Sequence, residues 1–237
     1  MEDRIKGIVI RTADVGETDR LLTLLTAESG KITAKAKGCR QAKSKLRYAT
    51  QPMCLGDYIF TQSKAGRIVT ACDTVENFES VSLSLDRYYV SGVVLEGANF
   101  FGRENVADPA LFLLTLSTLK KVTYDPSPLS SGAVYLLDLL RISGHEVRTV
   151  CSCGEEGEWL DLESSAVCCD KHKTGLVMPV GKRWGEAVED IRQDYAAVGT
   201  ATLRELYVTL ARCLWHTAGC KLSSVQELCK MWDVLAE

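Results

Sequence analysis

Ile5-Lys6-Gly7-Ile8-Val9-Ile10 near the N-terminus and Ile32-Thr33-Ala34-Lys35-Ala36-Lys37 further on decide the fold, because both alternate with the two-residue period of a strand. Between them lie a polar turn, Asp14 to Glu17, and the stretch Arg20 to Thr26, which taken alone fits strand or helix. Glu28-Ser29-Gly30-Lys31 reads as the turn into the second alternating run. Met53–Thr61 and Arg67–Thr74 form a hairpin around Lys64-Ala65-Gly66, whereas Gly38–Arg47 has no apolar period and reads as a loop. Five short strands with one long basic connection predict a small barrel, with the five-stranded OB-fold as its architecture.

After Asn77 the pattern turns helical. Leu83–Phe101, Leu111–Val122 and Leu129–Ile142 carry apolar residues three and four apart. Asp108-Pro109 and Asp125-Pro126 are helix-start signals, and Gly144 marks the C-terminus of the third helix. Residues 148–175 read as cysteine-rich and irregular. Leu203, Leu206, Tyr207, Leu210 and Leu214 form one helix stripe closed by Gly219, and Val225, Leu228, Trp232 and Leu235 form another. Stripes of this kind are core faces.

The composition, about a quarter charged and nearly half apolar, is that of a folded chain of 237 residues. Met1-Glu2-Asp3-Arg4 is acidic and lacks the apolar core of a signal peptide, and no apolar run reaches the length of a membrane span. The ten cysteines are then expected in a reducing cytoplasm, where clustered cysteines point to a metal and scattered ones to core filling. Cys39, Cys54, Cys72, Cys213, Cys220 and Cys229 are scattered.

The net charge is −3, but its distribution matters more than its sum. Residues 1–80 hold thirteen Lys/Arg against ten Asp/Glu, and the remainder holds fifteen against twenty-one. Between Lys31 and Arg47 there are seven basic residues (Lys31, Lys35, Lys37, Arg40, Lys43, Lys45, Arg47) and no acid. Like charges crowded without an acid repel unless an anion neutralises them.

Enzyme motifs fail one by one. Gly30-Lys31 resembles the end of a phosphate-binding loop, but Leu25 stands five residues before Gly30 and Ile32 follows Lys31, so the cradle cannot form. There is no G-x-G-x-x-G, no G-x-S-x-G and no H-E-x-x-H, and only three histidines occur. A non-enzymatic chain is expected.

Cys151-Ser152-Cys153-Gly154 and Cys168-Cys169-Asp170-Lys171-His172 are two short ligand pairs joined by a 14-residue stretch. Cys151, Cys153, Cys169 and His172 would complete a tetrahedron around zinc, with Cys168 as the substitute. Four protein ligands leave no open position, so such a site is structural. The alternative is a ribbon that folds by packing without metal.

Lys6-Gly7-Ile8-Val9-Ile10-Arg11, Gly16-Glu17-Thr18-Asp19-Arg20-Leu21-Leu22-Thr23-Leu24-Leu25-Thr26, Gly30-Lys31-Ile32 and Ala36-Lys37-Gly38 closely resemble the N-terminal OB domain of the bacterial RecO family. Lys43-Ser44-Lys45-Leu46 and Gln51-Pro52 are similar to it as well. So is Leu136-Leu137-Asp138-Leu139-Leu140 leading through Gly144 to Cys-x-Cys-Gly, and so are His216, Gly219 and Leu222-Ser223-Ser224. The resemblance spans essentially the whole chain. The family has C-x₂-C twice, where this chain has C-x-C and then Cys169-x₂-His172, and the family's proline before the first cysteine is absent.

The resemblance implies an α+β chain: an OB-fold DNA-binding domain at 1–80 and a helical domain at 81–237 with a zinc-ribbon-like insertion at 148–175. It also implies a cytoplasmic, nucleoid-associated recombination mediator of the RecFOR pathway, acting in DNA repair after DNA damage. Such proteins bind single- and double-stranded DNA, anneal complementary strands, and work with RecR and RecF to help RecA replace single-strand-binding protein. The tail of that protein needs an apolar pocket with a basic rim, to which Lys120, Lys121, Arg141 or Arg148 would contribute.

Phosphates repeat along a strand, so a row of cations tracks them without reading bases. Lys31, Lys35 and Lys37 share a strand face, Arg40, Lys43, Lys45 and Arg47 extend the field through a mobile loop, and Arg11 adds to it from a neighbouring strand. Base stacking is poorly supplied: residues 1–80 hold no Trp, and Tyr48 is the aromatic expected beside the loop. Two rival readings are a protein-binding adaptor docking partners on its helical half and a zinc- or thiol-dependent enzyme.

Overall fold

The computed structural model describes residues 2–64, 66–194 and 198–234. It divides into two compact units: Met1–Leu83 with Val94–Thr123, and Ser84–Val93 with Tyr124–Glu237.

The first unit is built on β1 (Glu2–Val15), β2 (Asp19–Thr26), β3 (Gly30–Ala36), β4 (Leu55–Ser63) and β5 (Gly66–Glu76). They close a barrel in the order β1-β2-β3-β5-β4, the OB-fold expected from the strand pattern. Every junction is antiparallel except β3 with β5, which pair in parallel at Ala34–Arg67 and Lys35–Ile68. β1 serves two neighbours, pairing with β4 up to Ile8 and with β2 from Gly7 onward. A register shift between Val9 and Arg11 re-aims it, which explains why Ile8, Val9 and Ile10 are all buried where strict alternation would expose one.

Inside the barrel, Val9, Leu22, Leu24, Ile32, Ala34, Ala36, Phe60 and Val69 pack with Tyr58. On β3 the apolar residues point inward, and Lys31, Thr33 and Lys35 stand on the outer side. The turn closing β4 to β5 includes Ala65, which lies outside the described residues. Gly30 begins β3 with φ +61, and a side chain there would run into the Val106 carbonyl. That close approach lets the segment after α1 (Leu85–Phe101) bond to β3, Lys31 N–H donating to Arg103 O at 2.9 Å and Asn105 N–H to Lys31 O at 3.0 Å. α2 (Pro109–Tyr124) follows, its first turn capped by Asp108, whose carboxylate accepts the Leu111 N–H at 2.9 Å.

The second unit contains α3 (Pro128–Ile142), α4 (Trp184–Gln193), α5 (Thr200–Ala218) and α6 (Ser223–Val234). α3 starts after Ser127, two residues beyond the expected Asp125-Pro126 signal, with Pro128 in its first turn. α5 ends as expected at Gly219, φ +72, where Cys220 N–H bonds Leu214 O at 3.1 Å. Of the C-terminal stripe, Leu235 lies outside the described residues. Residues 148–175 are more regular than expected: β6 (Trp159–Asp161), β7 (Ala166–Cys168) and, just beyond, β8 (Val177–Pro179) form a sheet ordered β7-β6-β8. No helix among the described residues is long and apolar enough to cross a membrane.

α3 and α5 meet at Gly132, where the Tyr207 hydroxyl donates to Leu129 O at 2.9 Å and Val90 lies alongside. Gly132→Ala sets two effects against each other. Helix propensity gains about 1 kcal/mol. Overpacking against Tyr207 and Val90 costs about 1–3 kcal/mol, and the displaced hydrogen bond about 1 more. The expected net is a destabilisation of about 1–3 kcal/mol, lowering the thermal midpoint by about 2–4 °C per kcal/mol. A raised midpoint would contradict this packing.

Candidate functional site

The basic segment between β3 and β4 is a loop, as its missing apolar period predicts, and it is built from successive hydrogen-bonded turns. Successive turns are closed by Gln41 N–H to Gly38 O, Ser44 N–H to Gln41 O, Arg47 N–H to Ser44 O and Thr50 N–H to Leu46 O, at 3.0–3.2 Å. Cys39, Ala49 and Cys54 anchor it in the barrel core, and Leu46 packs against the same core. Two ties secure its far end. The buried Tyr58 hydroxyl donates to Ala49 O at 2.7 Å, and Met53 and Cys54 exchange backbone bonds with Val9 at 2.8 and 3.0 Å. Burial holds the Tyr58 phenol in its neutral form and pushes the neighbouring Cys72 thiol up to about 12.

The start of the segment is clamped by the β1–β2 turn. Asp19 accepts the Gly38 N–H at 2.8 Å and pairs with Lys35 at 2.9 Å, and the two together, the amide first, hold its carboxyl down at about 2. Arg40 donates to Gly16 O at 3.2 Å and pairs at 3.3 Å with Asp14, which also holds Arg20 at 3.0 Å. The stretch that is acid-free in sequence therefore meets two acids in space.

The eight basic candidates divide accordingly. Lys31 donates its ammonium to Asn99 O at 2.9 Å, near the C-terminal end of α1. Lys35 and Arg40 are ion-paired. Lys37, Lys43, Lys45 and Arg47 are exposed and have no ion pair among the described residues. Arg11 is exposed too, but β2 separates its strand from β3, so it does not stand on the neighbouring strand. Tyr48 is 67% exposed beside Arg47, whereas Tyr58, Phe60 and Phe78 are buried.

In the second unit, Cys151, Cys153, Cys169 and His172 bring their ligand atoms within 4.8 Å of one another. Zinc with sulfur at about 2.3 Å needs tetrahedron edges of about 3.8 Å. The sulfur of Cys169 lies 3.8 Å from those of Cys151 and Cys153, and His172 Nδ1 lies 3.2 and 3.6 Å from Cys169 and Cys151. These edges fit a small tetrahedral ion. Gly154, φ +84, bends the first pair back, donating to Cys151 O at 2.8 Å, and His172 N–H closes the second pair onto Cys169 O at 3.0 Å. Backbone N–H groups of Cys153 and Cys169 face the Cys151 sulfur and lower its pKa to about 6. Cys168 ends β7, is buried and stays outside the set; burial raises its thiol.

The remaining basic residues fall in different places. Lys120 and Lys121 lie on α2 of the first unit. In the second unit, Arg141 is paired with Asp138 at 2.8 Å and Arg148 is exposed.

What the sequence reading missed is Asp14 and Asp19, whose roles depend on the register in which β2 pairs with β1 and β3. The Asp19 clamp has a pH signature. A carboxyl held low contributes fully above its ordinary 3.8 and is lost as pH falls through about 2. Protection of the Gly38 amide, relative to intrinsic exchange, is therefore expected to fall progressively between pH 3.8 and about 2, and Asp19→Asn to abolish that dependence. Protection that is flat across this window in the wild type would contradict the clamp.

The family described as "Recombination protein O N terminal" matches residues 1–78, which take in the whole barrel. A protein named "DNA repair protein RecO" from Dehalococcoides mccartyi (strain CBDB1) is 31% identical over 184 residues, covering 75% of this chain and 73% of its own. One of the same name from Thermobifida fusca (strain YX) is 31% identical over 217 residues, covering 85% and 86%. Another, from Desulfitobacterium hafniense (strain DSM 10664 / DCB-2), is 32% identical over 185 residues, covering 75% and 67%. With likeness of this extent running through both barrel and helices, the chain belongs to the RecO family.

Proposed function

We propose that this chain is a non-enzymatic, DNA-binding recombination mediator in DNA repair. The observation that carries the reading is the ordered β3–β4 connection, on which Lys37, Lys43, Lys45 and Arg47 stand exposed, with no ion pair among the described residues. Four cations on a held backbone neutralise phosphates at little ordering cost to the protein. Tyr48 is the one exposed aromatic on this connection, so the grip runs through the phosphodiester backbone and leaves bases free to pair. That is the property annealing of complementary strands requires. Lys35 and Arg40 support the connection through Asp19 and Asp14, and Lys31 ties the start of β3 to Asn99 of α1; their part in DNA binding is secondary. Arg11, exposed on β1, extends the field.

In this reading the partners are single- and double-stranded DNA, RecR, the C-terminal tail of single-strand-binding protein, and RecF and RecA. The chain works in the cytoplasm at the nucleoid. The relatives' shared name, DNA repair protein RecO, supports the pathway. Zinc bound by Cys151, Cys153, Cys169 and His172 would be structural, cross-linking the two turns that carry these ligands.

Two experiments test the reading. Lys37→Glu, Lys43→Glu and Lys45→Glu together are expected to weaken single-strand binding and reduce its salt slope by about 2, at about 0.7 for each phosphate no longer neutralised. The same variant should anneal strands coated with single-strand-binding protein more slowly. Unchanged affinity and slope would move the DNA site elsewhere. For the metal, Cys169→Ser is expected to abolish stoichiometric zinc retention after dialysis against a weak chelator, and Cys168→Ser to preserve it. Equal retention in the two variants would exclude this ligand set.

A further inference from the structure

α5 buries Leu206, Tyr207, Leu210, Cys213 and Leu214, yet near its end Trp215 is left 51% exposed. The other tryptophans are engaged. Trp184 is buried with its indole N–H on Thr209 Oγ1 at 3.0 Å, Trp159 donates to Asp170 at 3.0 Å, and Trp232 packs on Tyr207 with ring centroids 5.8 Å apart. The Trp215 indole N–H has no hydrogen-bond partner among the described residues. An indole in water is a large apolar surface with a polar edge, a combination typical of contact sites.

Two cations, Lys221 and Arg212, stand in its surroundings. Lys221 places its ammonium 5.6 Å from the ring centroid, and the His216 ring lies 5.2 Å away at 31°. Arg212, three residues earlier on the same helix, is exposed and has no ion pair among the described residues. From Leu206 to Gln226 the sequence contains no Asp or Glu, and Glu227, the next acid, is tied to Lys230 at 2.7 Å. The helix C-terminus contributes partial negative charge. The two N–H groups donated by Gly219 and Cys220 to Trp215 O and Leu214 O, with the charge on Lys221, offset it.

We propose that Trp215, flanked by Arg212 and Lys221, is a stacking contact for a base of single-stranded nucleic acid. It rests on the DNA-binding reading above and supplies what the barrel segment lacks. A base takes the ring face while Lys221, whose side chain is free to swing, moves from the ring to the adjoining phosphate; Arg212 meets the next one. Charge complementarity selects a polyanion, and the flat open ring selects one with unstacked bases, hence a single strand over a duplex. A single stacked base leaves the rest of the strand available for pairing.

The test compares the full chain with Trp215→Ala and Trp215→Phe, by anisotropy, on a short oligo(dT) and on an abasic oligomer of equal length. Trp215→Ala is expected to bind oligo(dT) about tenfold more weakly, to bind the abasic oligomer as the wild type does, and to keep the wild-type salt slope. Trp215→Phe should recover most of the loss, and thermal midpoints of both variants separate lost packing of the half-buried ring from the lost base contact. Wild-type affinity for oligo(dT) in Trp215→Ala overturns the stacking contact while leaving the DNA reading intact, and assigns the surface to a protein partner. Equal losses on both oligomers also overturn it. If the wild type binds neither oligomer, the DNA reading falls and this proposal with it.

Discussion

The hydrogen bond from the buried Tyr58 hydroxyl to the Ala49 carbonyl, at 2.7 Å, is the interaction on which the site depends. It joins the packing of Cys39, Leu46 and Ala49 in fixing the middle of the long β3–β4 connection to the barrel core. Tyr58 is large and polar at its tip, and such a group is stable inside a barrel only when its hydroxyl finds an acceptor. The connection provides that acceptor and is ordered in return. Asp19 at Gly38 and Val9 at Met53 and Cys54 complete three points of attachment. Cations between fixed points keep their spacing, and the proposed phosphate grip relies on that.

Electrostatics divides the same residues into support and surface. Lys35 and Arg40 meet the carboxylates of Asp19 and Asp14, which offset their charge, and Lys31 is held by a hydrogen bond to a carbonyl of α1. Exposed ion pairs of this kind contribute little stability singly. Their value lies in orienting the β1–β2 turn against the start of the connection. Lys37, Lys43, Lys45 and Arg47 have no such partner among the described residues, and an anion gains most from meeting them.

Much of the fold was legible because it repeats with a period. The inward set Ile32, Ala34 and Ala36 could be read directly, as could the cap at Asp108-Pro109 and the left-handed stop at Gly219. α4 escaped notice because Trp184, Ala187, Val188 and Ile191 are its four buried positions among charged neighbours, less than three turns in all. β6, β7 and β8 are three residues each, too short to display alternation. Ser127 rather than Asp125 precedes α3, since two X-Pro steps compete there and only the later one is followed by uninterrupted helix. The site was legible as a charge count and a ligand spacing. Its refinement by Asp14 and Asp19 was not, because those contacts join residues about twenty apart through the register of β2 against β1 and β3.

At the centre stands one claim: a few fixed cations hold the phosphate backbone of a single strand, and bases are not read. The most direct measurement is the salt dependence of wild-type affinity for homopolymeric single strands of different base. The four exposed cations of the β3–β4 connection contribute a slope of about −3 in log affinity against log salt, and Arg212 and Lys221 bring it to about −4. That slope is expected for each homopolymer, with affinities differing by no more than a single stacked base allows. A slope near zero, or affinities set by base identity, would contradict the claim.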